Sequence, residues 1–374
     1  MKKITILALH LNYGGIERFI TNLSNSICDD YSVEIISTYK LLDRPFFKLN
    51  DDVKVKYLIN NLKPNREVLK SSLKKLKLIN FFKELFKSIK ILYLKKHLMI
   101  NYIKNCNSDI IISTRDIHNK WLGKYGKKDI LKIGSEHNDI DSVNYVKEIS
   151  KTAKKLNYFV VVSKKMKDDY LKYLDIPVIY IPNSIENLPL NVSNLDNNNI
   201  ISVGRLENVK GYDDLIDVFK IIFTENKRII LNIVGDGSLK EVLQKKISNL
   251  NLDNNIKLLG YKNNDELNKI YNNSCMYVMT SLTESFGLAL IEAMSHKLPC
   301  IAFDSANGAK QIINNNINGY LIKNRNKEEM ADKILELINN KEKCKIMGNS
   351  AYNNSKNYLS KNIKQKWVDI FERE

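Results

Sequence analysis

No C-x-x-C pair occurs among the five cysteines, Cys28, Cys106, Cys275, Cys300 and Cys344. They are scattered and odd in number, which argues against a structural zinc site or a disulfide framework. A reducing cytoplasm is the expected setting. No apolar run approaches the roughly 20 residues that cross a bilayer. The opening "MKKITILALHLNYGGIERF" has a short apolar run that His10 and Asn12 interrupt, with no small-residue cleavage site after it. It reads as a first β-strand and not as a secretory signal.

What is present is a chain of 374 residues, 44% of them hydrophobic, enough for two or three domains with sizeable cores. The net charge of +17 is unevenly placed. Residues 1–190 hold 34 Lys and Arg against 20 Asp and Glu, whereas residues 191–374 hold 25 against 22. A uniform bias would say little; the asymmetry implies that the first half faces something anionic.

Strand-like runs alternate with helical patterns. In the first half the runs are "KITILAL", "YSVEIIST", "SDIIIST" (108–114), "DILKIGSE" (129–136), "YFVVVS" (158–163) and "PVIYIPNSI" (177–185). The polar, asparagine-rich "ENLPLNVSNLDNNN" (186–199) has no periodicity and reads as a linker. The alternation restarts with "NIISVGR", "RIILNIVGDG", "NNIKLLGY", "CMYVMTS" and "LPCIAFD", separated by helical stretches that include 285–296. The pattern predicts an α/β protein of two doubly wound, Rossmann-like domains, each a parallel sheet covered by helices, facing each other across a cleft. The expected units are 1–188, 189–355 and a terminal helix in 356–374 packing back on the first domain. Ligands of such sheets bind beyond the carboxyl ends of the strands.

Segment 63–104 breaks the alternation, with 12 Lys and Arg against 2 Asp and Glu. Leu69, Leu73, Leu76, Phe82, Phe86, Ile89 and Leu92 recur at three- to four-residue steps with one gap. Lys70, Lys74, Lys77, Lys83, Lys87 and Lys90 each follow one position later. This predicts an amphipathic helix with a basic shoulder. Three readings fit: a core-packed helix with solvated lysines, a helix lying on an anionic membrane, or a nucleic-acid surface. The last lacks interleaved exposed aromatics.

Chemistry concentrates in the second half. In "SVGRLENVKG" (202–211), Arg205 and Lys210 follow a strand's carboxyl end; a planar fork and a point charge together suit a diphosphate, although a solvated loop fits the same residues. In "SLTESFGLALIEAMSHKLP" (281–299), Ser285 to Leu288 are expected to form a helix's first turn, whose free N–H groups favour an anion. Glu284 stands before that turn and Glu292 inside the helix. Eight helical residues span about 12 Å with about 80° of rotation. Glycosidase carboxylate pairs stand about 5 Å or roughly 6.5–9.5 Å apart, so a shared proton shuttle is a poor fit. Two carboxylates gripping hydroxyls at the ends of one elongated ligand fit better, with phosphate between them. A dipole-favoured Glu284 and a salt-bridged Glu292 are the structural alternative.

The motifs "VGRLENVKG", "IVGDGSL", "LLGYKNN", "TSLTESFGLALIEAMSHKLPCIAFD" and "INGYLI", together with "LNYGGIERFI", resemble the large retaining glycosyltransferase family four of GT-B architecture, over nearly the whole chain. The resemblance implies that Glu284 contacts donor-sugar hydroxyls and Glu292 the nucleotide ribose. Arg205 and Lys210 would bind the diphosphate, and the backbone at Phe286, Gly287 and Leu288 the phosphate. Gly14 and Gly15 would form the loop closing over the donor, with Tyr261 near the base. "SEHND" resembles polysaccharide-assembling members and implies a place for His137 near the transferred sugar. "SANGAKQII" departs from the family pattern, with Gly308 alone and Lys310 near the usual acidic position.

The implied activity is transfer of a hexose or N-acetylhexosamine from a nucleotide diphosphate, a UDP-sugar, to a lipid-linked saccharide in capsule, O-antigen or related glycan assembly. The expected enzyme is a hexosyltransferase at the inner face of the plasma membrane, held by 63–104, with no cofactor, no metal and no nucleic-acid partner. No Asp-x-Asp stands at a likely strand end. The alternatives are a GT-B-type nucleotide-sugar epimerase, which would act on donor alone, and a basic nucleic-acid-binding protein.

Overall fold

The computed structural model describes residues 1–60, 78–138, 140 and 142–373. The N-terminal sheet is built from β1 (Lys3–Ala8), β2 (Ser32–Lys40), β3 (Lys54–Asn60), β4 (Ile110–Ser113), β5 (Leu131–Glu136), β6 (Tyr158–Val161) and β7 (Val178–Tyr180). Its helices are α1 (Gly15–Ile27), α2 (Leu78–Asn105), α3 (Asp116–Tyr125), α4 (Val143–Ala153) and α5 (Lys164–Leu171). The second sheet is built from β8 (Asn199–Val203), β9 (Ile230–Val234), β10 (Ile256–Gly260), β11 (Met276–Met279), β12 (Cys300–Phe303) and β13 (Gly319–Ile322). Around it lie α6 (Tyr212–Glu225), α7 (Lys240–Asn249), α8 (Asn264–Asn272), α9 (Leu288–Ser295), α10 (Asn307–Ile312), α11 (Lys327–Asn339) and α12 (Lys341–Ser355). The final helix is α13 (Ser360–Phe371).

Both sheets are parallel throughout, in the orders β3-β2-β1-β4-β5-β6-β7 and β10-β9-β8-β11-β12-β13. Their central strands are runs of isoleucine and valine buried on both faces, as a helix-covered parallel sheet requires. Strand order therefore reverses between β1 and β4, and again between β8 and β11. Open parallel sheets bind ligands in the crevice beyond such points.

β3 was not among the expected strands. Its "KVKYLIN" places lysines on alternate exposed positions, the pattern of an edge strand blunted by charge. β13 was visible only as the motif "INGYLI".

Two of the connections between the halves lie near the C-terminus. Ile185 donates its N–H to Tyr358 O at 2.9 Å and accepts from Ser360 N at 2.8 Å. α13 then packs on α1 of the first domain: the Trp367 ring lies 5.8 Å from Phe19, and Phe371 lies 5.5 Å from Tyr31.

α2 turns its faces differently from the simplest expectation. Its buried side carries Ser88, Ile91, Met99 and Ile103. The stripe read from the sequence faces outward: Phe82 is 52% exposed, Phe86 69%, Ile89 53% and Leu92 52%. Lys83, Lys87 and Lys90 are exposed beside it. Leu69, Leu73, Leu76, Lys70, Lys74 and Lys77 lie outside the described residues. Among the described residues, no helix is long and apolar enough to cross a membrane.

Candidate active site

The crevice of the second sheet lies between the ends of β8 and β11, and two loops are fastened together there. Gly211 adopts φ 63°, and a Cβ at this position would stand 2.2 Å from Thr280 O, so only glycine lets the turn after β8 seat on the end of β11. Thr280 Oγ1 donates to Lys210 O at 3.2 Å, and Leu282 N to Val209 O at 2.8 Å. The result is an ion pair between Lys210 Nζ and Glu284 Oε2, each side chain about one-fifth exposed. Arg205 stands exposed on the same loop.

Arg325 supports this arrangement from behind. Its guanidinium donates to Thr280 O (2.9 Å), Ser281 O (3.1 Å), Ser305 Oγ (2.8 Å) and Asp214 (2.5 Å), and it lies over the Phe303 ring at 4.5 Å. Asp214 belongs to a carboxylate cluster with Asp213 and Asp217 on α6. Lys246, Lys327 and Arg325 answer that cluster at 2.5 to 2.8 Å. The cluster thus reads as ion pairing that joins α6 to α7 and to the start of α11.

α9 begins at Leu288, later than the expected first turn at Ser285. Gly287 is the reason: its φ of 92° is left-handed and outside a right-handed helix, so it caps α9. Phe286 is buried against Tyr358, with ring centroids 5.6 Å apart, and offers the crevice only backbone. The amides at Leu288 and Ala289 head the helix without intrahelical acceptors. Gly308 N donates to Glu284 O at 2.8 Å, so the departing "SANGAKQII" segment still supports the glutamate's backbone. Lys310 is exposed. Gln311 links the domains, accepting from Lys164 N (2.9 Å) and donating to Tyr180 Oη (2.6 Å).

Glu292, inside α9, reaches across to the first domain, with Arg18 Nη2 at 3.6 Å. Burial raises its carboxyl above the usual range, and Arg18 pulls it back. Tyr261, after β10, lies 5.2 Å from Phe46 and 6.3 Å from Tyr13, ring to ring. Gly14 and Gly15, at the head of α1, therefore belong to the cleft wall opposite Glu292 and Tyr261.

His137 follows β5 at the rim of the first sheet. It is buried on Phe19, centroid distance 4.3 Å, with Nε2 3.1 Å from Ser135 Oγ. Nδ1 is buried with no hydrogen-bond partner among the described residues. Burial and the nearby Arg115 push the imidazole down to about 3, so it is neutral at physiological pH. Glu136 accepts the backbone N–H groups of His137 (2.8 Å) and Asn138 (2.7 Å), which fixes the turn that presents the histidine. Beside them, Arg115 pairs with the buried Glu17 at 3.0 Å. One Asp-x-Asp triplet, Asp139-Ile140-Asp141, begins three residues past β5; its aspartates lie outside the described residues.

The structure thus gathers Arg205, Lys210, Glu284, Gly287 and Leu288 on one wall, with Glu292 and Tyr261 meeting residues of the other domain. His137 sits on the N-terminal rim. Sequence reasoning missed Arg325, Arg18 and Phe46. Arg18 follows Gly14-Gly15 by one turn in "GGIERF", which was the available signal. Arg325 had none, since its partners at 214, 280, 281 and 305 are dispersed.

Residues 184–354 match the family model described as glycosyl transferases group 1. The chain is similar to the poly(ribitol-phosphate) alpha-N-acetylglucosaminyltransferase of Staphylococcus aureus (strain COL), 30% identical over 259 residues, covering 68% of this chain and 52% of that protein. The chain thus spans about half the length of that relative. It is also similar to the GalNAc-alpha-(1->4)-GalNAc-alpha-(1->3)-diNAcBac-PP-undecaprenol alpha-1,4-N-acetyl-D-galactosaminyltransferase of Campylobacter jejuni, 24% identical and covering 99% of this chain and 98% of that one. Among solved structures, a mutant of S. aureus TarM in complex with Fondaparinux, alpha-GlcNAc-glycerol and UDP superposes with a TM-score of 0.80 at 21% identity, covering both chains fully. The fold is GT-B.

Burial pushes the Glu136 carboxyl up to about 7. A raised carboxyl contributes stability below its unfolded value that is lost as pH rises through the folded one. Glu136→Gln keeps an acceptor for both N–H groups and removes the titration. The variant's melting temperature relative to wild type is expected to climb between pH 5 and pH 8, with a gain of about 2 kcal/mol at the upper end. Differential scanning fluorimetry across that range is the check; a pH-independent difference contradicts it.

Proposed function

We propose that the chain is a retaining, metal-independent hexosyltransferase of family four. It moves a sugar from a UDP-hexose or UDP-N-acetylhexosamine to a lipid-linked saccharide in the assembly of a bacterial surface glycan. The observation that carries this reading is the Lys210–Glu284 pair at the β8/β11 crevice, beside Arg205 and the head of α9. Cations for a diphosphate and a carboxylate for sugar hydroxyls stand together where parallel sheets bind ligands. The match over residues 184–354 supports it, as does the UDP in the structure it resembles.

In this reading the donor diphosphate takes Lys210 from Glu284, freeing the carboxylate to accept from the sugar hydroxyls. Glu292 holds the ribose, Tyr261 lies at the base, and the Gly14-Gly15 loop closes over the donor. The bond from the anomeric carbon to the diphosphate oxygen breaks as the acceptor oxygen bonds on the same face. The acceptor proton passes to the departing phosphate. Arg205, Lys210 and the amides of α9 stabilise charge growing on that leaving group. In this reading neutral His137, at the rim of the first sheet, lies near the transferred sugar.

The lipid-linked acceptor suits the outward face of α2. Phe82, Phe86 and Ile89 supply apolar surface, and Lys83, Lys87 and Lys90 flank it. Each lysine near an anionic bilayer is worth on the order of 1 kcal/mol, so the helix fits a reversible hold on the inner face of the plasma membrane.

Lys210→Ala and Glu292→Ala are each expected to cut sugar transfer at least about 100-fold with the fold retained. Radiolabelled transfer assays and circular dichroism check this, after a thermal-shift panel of nucleotide sugars has named the donor by its stabilisation. Full activity in both variants would remove the site assignment, and loss of turnover in EDTA would remove the metal-independent step. Replacing Lys83, Lys87 and Lys90 with Glu is expected to abolish flotation with vesicles of anionic phospholipid. Unchanged flotation, or flotation equal on neutral vesicles, contradicts the membrane reading.

A further inference from the structure

Glu292 is unusual among the gripping groups of the crevice in taking its counter-charge from the other domain. Arg18, on the first turn and a half of α1, brings Nη2 to 3.6 Å from Glu292 Oε1. The guanidinium is itself held: it lies over the Phe47 ring at 4.8 Å. Phe47 packs edge-on against Phe46 at 4.9 Å, and Phe46 against Tyr261 at 5.2 Å. Phe46 N donates to Leu11 O at 3.0 Å, which anchors the turn after β2 to the loop after β1. The path from Phe46 and Phe47 through Arg18 to Glu292 is thus continuous and crosses the cleft once.

We propose that Arg18 is a positioning residue for donor binding: it holds Glu292 oriented and ionised, so that the crevice grips the nucleotide ribose fully only when the two domains are closed on each other. This rests on the ribose reading of Glu292.

The chemistry favours this over a decorative surface pair. A carboxylate that accepts two ribose hydroxyls must be ionised to offer all its lone pairs. Glu292 sits among apolar neighbours of α9, where burial favours the neutral acid. The charged and titratable side chains that act on it or feel it are Arg18 from α1 and the buried Tyr271 hydroxyl from α8. Tyr271 is kept neutral by burial, leaving Arg18 as the cation among the described residues. Withdrawing α1 as the cleft opens would remove that cation and weaken the carboxylate as an acceptor. Nucleotide affinity and domain closure are then linked in both directions.

The test is calorimetric UDP binding between pH 5.5 and 8.5 for wild type, Arg18→Ala, Arg18→Lys, Glu292→Gln and the Arg18→Ala/Glu292→Gln double variant. Arg18→Ala is expected to weaken UDP about five- to tenfold, most at the acidic end of the range, because without Arg18 nothing among the described residues opposes the upward push of burial on the Glu292 carboxyl. Arg18→Lys restores most of the affinity, and in the Glu292→Gln background Arg18→Ala changes nothing further. A deficit independent of pH, tighter binding in Arg18→Ala, or additive losses in the double variant overturn the inference while leaving the ribose reading intact. An unchanged Kd in Glu292→Gln alone removes the ribose reading and this inference with it.

Discussion

Parallel strands send every loop that follows a strand to the same edge of its sheet. In this chain that constraint acts twice, and the rest of the site depends on it. The segments that follow β8, β10, β11 and β12 supply Arg205, Lys210, Tyr261, Glu284 and Gly308. Those after β1, β2, β4 and β5 supply Gly14, Phe46, Arg115 and His137. Arg205 and Lys210 apart, these groups are distant in sequence. What brings Lys210 against Glu284 is the adjacency of β8 and β11 in the sheet and the left-handed Gly211 that lets their loops touch.

Much of this was legible in the residues. The β-branched runs named eleven of the thirteen strands among the described residues, and the position of Arg205 and Lys210 just past one of them pointed to the crevice. The eight-residue separation of Glu284 and Glu292 argued against a proton shuttle, and the structure separates their partners accordingly: Lys210 for one, Arg18 for the other. The missed features share a physical cause. β3 is an edge strand whose charged, half-exposed residues leave too short an apolar run to stand out. The early start given to α9 came from an apolar run that conceals Gly287's left-handed turn. On α2 both faces are apolar, so spacing finds the stripes without saying which one is covered. Arg325 collects acceptors from four separate segments, and no local pattern announces that.

The electrostatics of the crevice follow one theme. Lys210 and Glu284 face each other, as do Arg18 and Glu292, and Arg115 and Glu17. Groups suited to hold a polar ligand are thereby kept from standing buried or half-buried and unpaired, a costly state for a charge. A ligand carrying both phosphate and hydroxyls can exchange these internal partners for its own without leaving either charge stranded.

The placement of α13 has a consequence for how the chain acquires its shape. The N-terminal sheet ends at Tyr180, yet Ile363, Trp367, Ile370 and Phe371 complete its core against α1. A ribosome delivers the whole second domain before it delivers that helix. Until then the α1 side of the first domain's core lacks its cover. It sets only when synthesis has passed Phe371. The first core is thus completed by the last helix to be made, and the apolar side of α1 is a surface that chaperones would meet before then.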